Sequence, residues 1–382
     1  MTALRVQATP ELSPSAPIFS KKRGISLTFG CFIAVSCLTA LPSSAKTIVY
    51  VSNADSREIT VMELNTVDGS TTLVQNVATS GTVMPLAISP DHHLLYASLR
   101  SAPFSVSNFA IDQTSGKLTL LSTVPLADNM ANIATDKTGR YLLAASYSGN
   151  KISINSISTS GEVQSPAIDV IATREKAHAI ATDPSNTHLF ASNLGGDILL
   201  QYHFDATTGH VTPNTPPFVE TKKGDGPRHF VFNHKATFVY GTNELAGSVS
   251  TYRYNTTSGT LTLLGADTLL PNGFVGGALA AADIHLTPDG RYLYASERTS
   301  STISGFAVDP ATGGLTLIGR FATEEQPRGF NIDPSGHYLL AVGQKSNGMT
   351  SYAIDQKTGT LRPAQQISVG ENPNWVEIIE IR

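Results

Sequence analysis

Cysteine is nearly absent from this 382-residue chain: it has two, Cys31 and Cys37, and both fall in the first 45 residues. Whatever folds after that segment has no disulfide, no thiol nucleophile and no thiolate metal site. Charge is scarce as well. Asp, Glu, Lys and Arg make up 15% of the chain and no basic run occurs, so nothing points to a nucleic-acid partner. The sequence has no Gly-x-Ser-x-Gly turn, no His-Glu-x-x-His, no calcium-binding loop and no Gly-rich phosphate loop ahead of a helix. That argues against serine-hydrolase chemistry. The ten histidines are scattered, so their spacing indicates no metal site, and no cofactor is called for.

Long apolar runs are confined to one place. Lys21-Lys22-Arg23 precede an apolar stretch from Gly24 to about Leu41, followed by Pro42-Ser43-Ser44-Ala45. A cationic stretch, an apolar core and small residues before a break describe a secretory signal peptide over residues 1–45, with cleavage after Ala45. An uncleaved membrane anchor is the open alternative, because the run is about long enough to span a bilayer. A lipoprotein signal would need a better lipobox than Ala34-Val35-Ser36-Cys37. Cleavage leaves residues 46–382 as one exported domain in the periplasm, without stable membrane association and expected as a monomer. Its charge is then about −7, from 22 basic and 29 acidic residues. Long-range attraction does not bring in an anionic substrate, so capture has to be local.

What the chain does have is a repeat. Thr287-Pro288-Asp289-Gly290-Arg291-Tyr292-Leu293-Tyr294-Ala295-Ser296 has counterparts beginning at Ser89, Asp136, Asp183, Phe232 and Asp333, at a spacing of about 46 to 54 residues. Within one unit a short apolar run (Ala281–Leu286) meets a Pro-Asp-Gly turn, and an alternating run (Tyr292–Ser296) follows. A second alternating run (Thr302–Val308) then turns through Asp309–Gly314 into Leu315–Ile318. That is four short strands per unit, because Gly supplies positive φ and Asp or Pro presets each bend. Radially arranged four-stranded units make a β-propeller. Aligning second strands on Ser52, Ser98, Ser146, Ser192, Thr242, Ser296 and Gly343 gives seven blades. The first copy, Thr47–Asn53, lacks a preceding inner strand, and Glu371–Ile379 supplies it, so the C-terminal strand closes the ring.

Inner strands bring side chains from different blades to one mouth of the central channel. Polar residues where a structural repeat would place small or apolar ones are therefore the candidates. They are His178, Arg228, His229, Asp283, His285 and Arg328, joined by Glu244 and Arg298 just after two second strands. Arg offers a rigid fork to a carboxylate, a phosphate or a developing oxyanion, and His or Glu can take a proton from water. The competing reading is that these groups only pair with one another to satisfy a buried channel. His92, His93, His188, His203, His210, His234 and His337 fall in turns or outer positions and read as surface residues.

Asn243-Glu244-Leu245, Ala282–Arg291, Gly226-Pro227-Arg228-His229, Gln326–Asn331 and Gly343–Ser346 resemble the seven-bladed propeller lactonase family. That family includes bacterial 6-phosphogluconolactonases and is related to fungal carboxymuconate-lactonizing enzymes. The resemblance covers the chain after Lys46 and is densest from Gly224 to Ser346. It implies hydrolysis of a sugar lactone, glucono-1,5-lactone or its 6-phospho form, to the aldonic acid. By resemblance to the lactonizing branch, the catalytic set is His178, Arg228, Glu244 and Arg298. Arg328, His229, Asp283 and His285 are then left to bind substrate, with Glu244 or His178 as base. An exported location favours the unphosphorylated lactone. A non-enzymatic propeller binding an anionic ligand, a lactonizing enzyme and a metal-dependent six-bladed gluconolactonase are the alternatives; the blade count argues against the last.

Overall fold

The computed structural model describes residues 45–382 and, ahead of them, Pro17; apart from Pro17 and Ala45, the expected signal peptide lies outside the described residues. Twenty-eight strands form seven antiparallel four-stranded sheets, with no helix among the described residues. The inner strands of blades 2 to 7 are Val83–Ile88, Met130–Thr135, Ala177–Thr182, Pro227–Phe232, Ala281–Leu286 and Pro327–Ile332. Blade 1 takes its inner strand from the C-terminus: Pro373–Ile381 pairs antiparallel with Lys46–Asn53, Lys46 opposite Ile381. Each inner strand packs on its two neighbours, and the last returns to the first. This is the seven-bladed, C-terminally closed propeller expected from the repeat.

The recurrent phrase has a physical reading at each of its positions. Its leading Asp or Asn caps the turn between first and second strands: Asp136 Oδ1 accepts the N–H groups of Arg140 and Tyr141 at 2.8 and 2.9 Å. Asp183 does the same for Thr187 and His188, and Asn233 for Thr237 and Phe238. The turn then needs a left-handed residue, supplied by Gly290 at φ 72° in one copy and by Asn186 at φ 60° in another. The phrase's Tyr ties blade to blade. Tyr50, Tyr96, Tyr240 and Tyr294 each donate a buried hydroxyl to a hairpin carbonyl of the next blade, Gly116, Gly161, Gly313 and Gly359, at 2.7–3.1 Å.

The strand ladders correct two positions of the alignment. Ser52, Ser98, Ser192, Thr242 and Ser296 are equivalent, but their counterparts in blades 3 and 7 are Ala145 and Val342, one residue before Ser146 and Gly343. One histidine is also misplaced by the sequence reading. His188 is buried, its Nδ1 3.1 Å from the Tyr254 hydroxyl and its ring 5.4 Å from that of His203. The second strand starts there, so a turn-flanking position becomes a core one.

Candidate active site

Every inner strand breaks register with its neighbour near its start. In blades 4, 5 and 6 two inner-strand residues stand against one of the second strand: His178-Ala179 against Ser192, Arg228-His229 against Thr242 and Ala282-Asp283 against Ser296. Blade 7 carries Arg328 there, and blade 1 carries Asn374. A bulge of this kind re-aims side chains that strict alternation would send to opposite faces of the sheet. The phrase's hydroxyl fixes the bulges in place. Ser192 donates to the carbonyl of Arg228 in the next blade and accepts the N–H of Ala179 in its own. Thr242 likewise donates to the Ala282 carbonyl at 3.1 Å and accepts the His229 N–H at 3.2 Å.

The eight candidate residues fall into two layers, which cut across the division into catalytic and substrate-binding groups. The outer layer holds His178, Arg228, Glu244, Arg298 and Arg328. Glu244 sits between two guanidinium groups, Oε2 2.9 Å from Arg228 Nε and Oε1 3.1 Å from Arg298 Nη2. Arg228 is fully buried; Nη1 donates to the Ala282 carbonyl at 2.7 Å, while Nε and Nη2 have no aligned hydrogen-bond acceptor. Its Nε is thus held in a close charge pair with Glu244, and Nη2 is the donor left without a partner. Arg298 is braced by Nε donation to the Ala280 carbonyl at 3.0 Å. Arg328 has no hydrogen bond or ion pair among the described residues, and lies within the field of Arg228, Arg298, Arg100 and Glu244.

The electrostatics follow from this crowding. Burial and the guanidinium of Arg298 push Arg228 down to about 10, still charged at neutral pH. Burial raises Glu244, but Arg228, Arg298 and Arg328 outweigh it and hold the carboxylate below its usual range. Burial, reinforced by Arg228, holds His178 well below the ordinary imidazole value, so it is neutral at pH 7. Its Nδ1 is buried without a partner, and its ring lies 5.9 Å from Tyr147 and 5.1 Å from His229.

The inner layer lines the channel. His229, Asp283 and His285 border a cavity of about 180 Å³ together with Asn132, Trp375 and Glu377. Asp283 joins the two imidazoles, Oδ1 2.8 Å from His229 Nδ1 and Oδ2 3.4 Å from His285 Nε2. Burial and Arg228 lower His229 to about 4, while Asp283 raises His285 against its burial. No cluster of three or more His, Cys, Asp or Glu able to hold a metal ion occurs among the described residues.

Several residues of the site escaped the sequence reading. Arg100 occupies the same ladder position in blade 2 as Glu244 and Arg298 do in blades 5 and 6; its Nε donates to Asn129 Oδ1. Extending the second-strand alignment by one residue would have found it. Trp375 and Glu377, joined by an indole N–H to Oε1 bond of 2.8 Å, were read only as parts of the closing strand.

The chain matches the family model of the seven-bladed β-propeller lactonases over residues 45–378. A 6-phosphogluconolactonase of Serratia proteamaculans is 39% identical over 334 residues, covering 87% of this chain and 99% of that protein. One from Pectobacterium carotovorum has the same identity and coverage. Among solved structures, the periplasmic gluconolactonase of Pseudomonas aeruginosa superimposes with a TM-score of 0.82 at 26% identity, over 89% of this chain and all of that one. A putative 6-phosphogluconolactonase of Bacteroides fragilis gives 0.80 at 27% identity, over 89% and 99%. With the blade count, the closing strand and the full-length match in agreement, the chain belongs to the seven-bladed β-propeller lactonase family.

Proposed function

We propose that this protein is a carboxylic-ester hydrolase that opens a sugar lactone, glucono-1,5-lactone or its 6-phospho form, to the aldonic acid at the outer layer of the mouth. The observation that carries the reading is Arg228: a buried guanidinium, paired through Nε with Glu244, whose Nη2 has no acceptor, at a bulge close to the neutral imidazole of His178. Ester opening needs a donor aimed where the carbonyl oxygen becomes an oxyanion, and a fixed, desolvated guanidinium meets that need without reorganising. Arg298 is the second donor. Glu244, with both oxygens on guanidinium groups, orients the two arginines and is a poor proton acceptor. The base is then an imidazole.

Two observations pull the substrate in different directions. Arg228, Arg298 and Arg328 surround the carboxylate of Glu244, and Arg100 acts on Arg328 in turn, a cation excess that suits a phosphorylated lactone. The signal-peptide pattern in residues 1–45 suits export to the periplasm and an unphosphorylated one. Acid release in a pH-stat from both lactones, corrected for spontaneous hydrolysis, decides between them. Arg228→Ala serves as the comparison and should lose on the order of a hundredfold in turnover. Turnover of neither lactone by the intact protein would sink the reading and leave an anion-binding propeller.

A further inference from the structure

The channel layer behind the mouth is built more carefully than substrate binding alone requires. Asp283 is buried and accepts from three donors, His229 Nδ1 and the backbone N–H groups of Ile284 and Phe330 at 3.0 and 3.2 Å, with His285 Nε2 close by at 3.4 Å. A carboxylate so surrounded is ionised and fixed in orientation. It therefore takes a proton-bearing Nδ1 from His229, which leaves Nε2 of that ring a bare acceptor. That nitrogen is buried and has no hydrogen-bond partner. The same ring touches His178 at the mouth (5.1 Å) and Trp375 in the channel (5.4 Å), and it borders the cavity.

The rest of the mouth offers donors or spent acceptors. The arginines donate only, and both oxygens of Glu244 are occupied. His178 is an imidazole too, but nothing bonds its Nδ1 to fix which nitrogen carries the proton.

We infer that His229, oriented by Asp283, is the general base of the lactone opening proposed above, on which this assignment rests. Water from the channel side adds its oxygen to the lactone carbonyl carbon, and His229 Nε2 takes one water proton. The carbonyl oxygen becomes the oxyanion held by Arg228. As the ring carbon–oxygen bond breaks, the ring oxygen recovers the proton from His229 and becomes a hydroxyl. The new carboxylic acid loses its proton to solvent. Asp283 stabilises the transient imidazolium, and His285 is a positioning residue that holds the second carboxylate oxygen. The charged groups facing His229 are Arg228 on its own strand, Asp283 in blade 6 and Arg328 in blade 7; burial and the arginines make its imidazolium a strong acid, suited to returning the proton to a leaving alkoxide.

The test compares wild type, His229→Gln and Asp283→Asn in initial rates of lactone loss from about pH 2.5 to 7, a range that spans the His229 value of about 4, with the ¹⁵N shifts of the His229 ring as a second readout. His229→Gln should lower kcat about a hundredfold or more with KM within about threefold. Asp283→Asn should lower kcat and move the acid limb of the profile downward, because the carboxylate that raises the His229 pKa is gone. The wild-type ring should carry its proton on Nδ1 at pH 7. A folded His229→Gln with wild-type kcat, or a wild-type ring protonated on Nε2, overturns the inference while lactone hydrolysis stands. Absence of turnover in the wild type overturns both, and is told apart because it appears before any substitution is made.

Discussion

Glu244 Oε2 lies 2.9 Å from Arg228 Nε, and the second oxygen of the same carboxylate lies 3.1 Å from Arg298 Nη2. One acidic group thus bridges two cations from adjacent blades, one of them fully buried. Removing it strands a buried charge, which costs more than the pair itself is worth. Glu244→Gln should therefore destabilise the fold by about 3 kcal/mol, read as a shift in the urea midpoint, and should lower turnover by misplacing both arginines. A Gln variant of unchanged stability would mean that water already screens the pair.

Arg328 has the opposite problem. It is a partly buried cation with no acceptor, inside a group of like charges. In the absence of an anion, repulsion from its neighbours makes it destabilise the mouth, and a bound anion relieves that repulsion. Arg328→Met should raise the melting temperature while raising KM for the 6-phospho lactone about tenfold or more, the loss of a charge-assisted hydrogen bond. Equal KM values for the variant and wild type would remove Arg328 from the anion subsite.

Much of the fold was legible because each repeat position has a local cause that a sequence displays: the Asp cap, the left-handed Gly, the Tyr and the hydroxyl. Ring closure was legible because Thr47–Asn53 lacked a partner strand and Glu371–Ile379 had none to give. The identity of the mouth residues was legible too, since Arg228 and Arg328 are out of place on an inner strand. Their depth was not. Alternation would send Arg228 and His229 to opposite faces, and only the bulge lets one reach Glu244 while the other lines the channel. Glu377 stayed hidden for a related reason: within Trp375–Ile379 it reads as the polar phase of an ordinary alternating strand.

Ser192 stands two steps from the chemistry yet sets the position of Arg228. Its hydroxyl donates to the Arg228 carbonyl and accepts the Ala179 N–H, linking the bulges of blades 5 and 4. Ser192→Ala leaves a buried carbonyl and a buried N–H unmatched, at a cost of about 1–3 kcal/mol. Turnover should fall with little change in KM, because the proposed oxyanion donor Arg228 moves while Arg298 and Arg328 stay in place. Ser192→Thr should restore most of both, since Thr242 makes the same pair of bonds in blade 5. A Thr variant as impaired as Ala would show that Ser192 acts through packing and not through its hydroxyl.

Glu377 makes stability depend on pH in a direction that can be worked out beforehand. Burial, with Asp283 adding to it, raises its carboxyl from 4.5 to about 7, against the opposing Trp375 N–H and His285. Between about pH 4.5 and 7 the folded protein therefore holds a proton that the unfolded chain has released. The stabilisation is complete below the unfolded value and is lost as pH rises through the folded one. His285, also raised by Asp283, acts in the same sense above its ordinary value. Glu377→Gln stays neutral and can still accept the indole N–H. Melting temperatures of variant and wild type should therefore nearly coincide at pH 5. At pH 8.5 the variant should be more stable, by on the order of 1–3 kcal/mol. A difference that is the same at both pH values would show that Glu377 keeps its charge in the channel, with His285 or water compensating it.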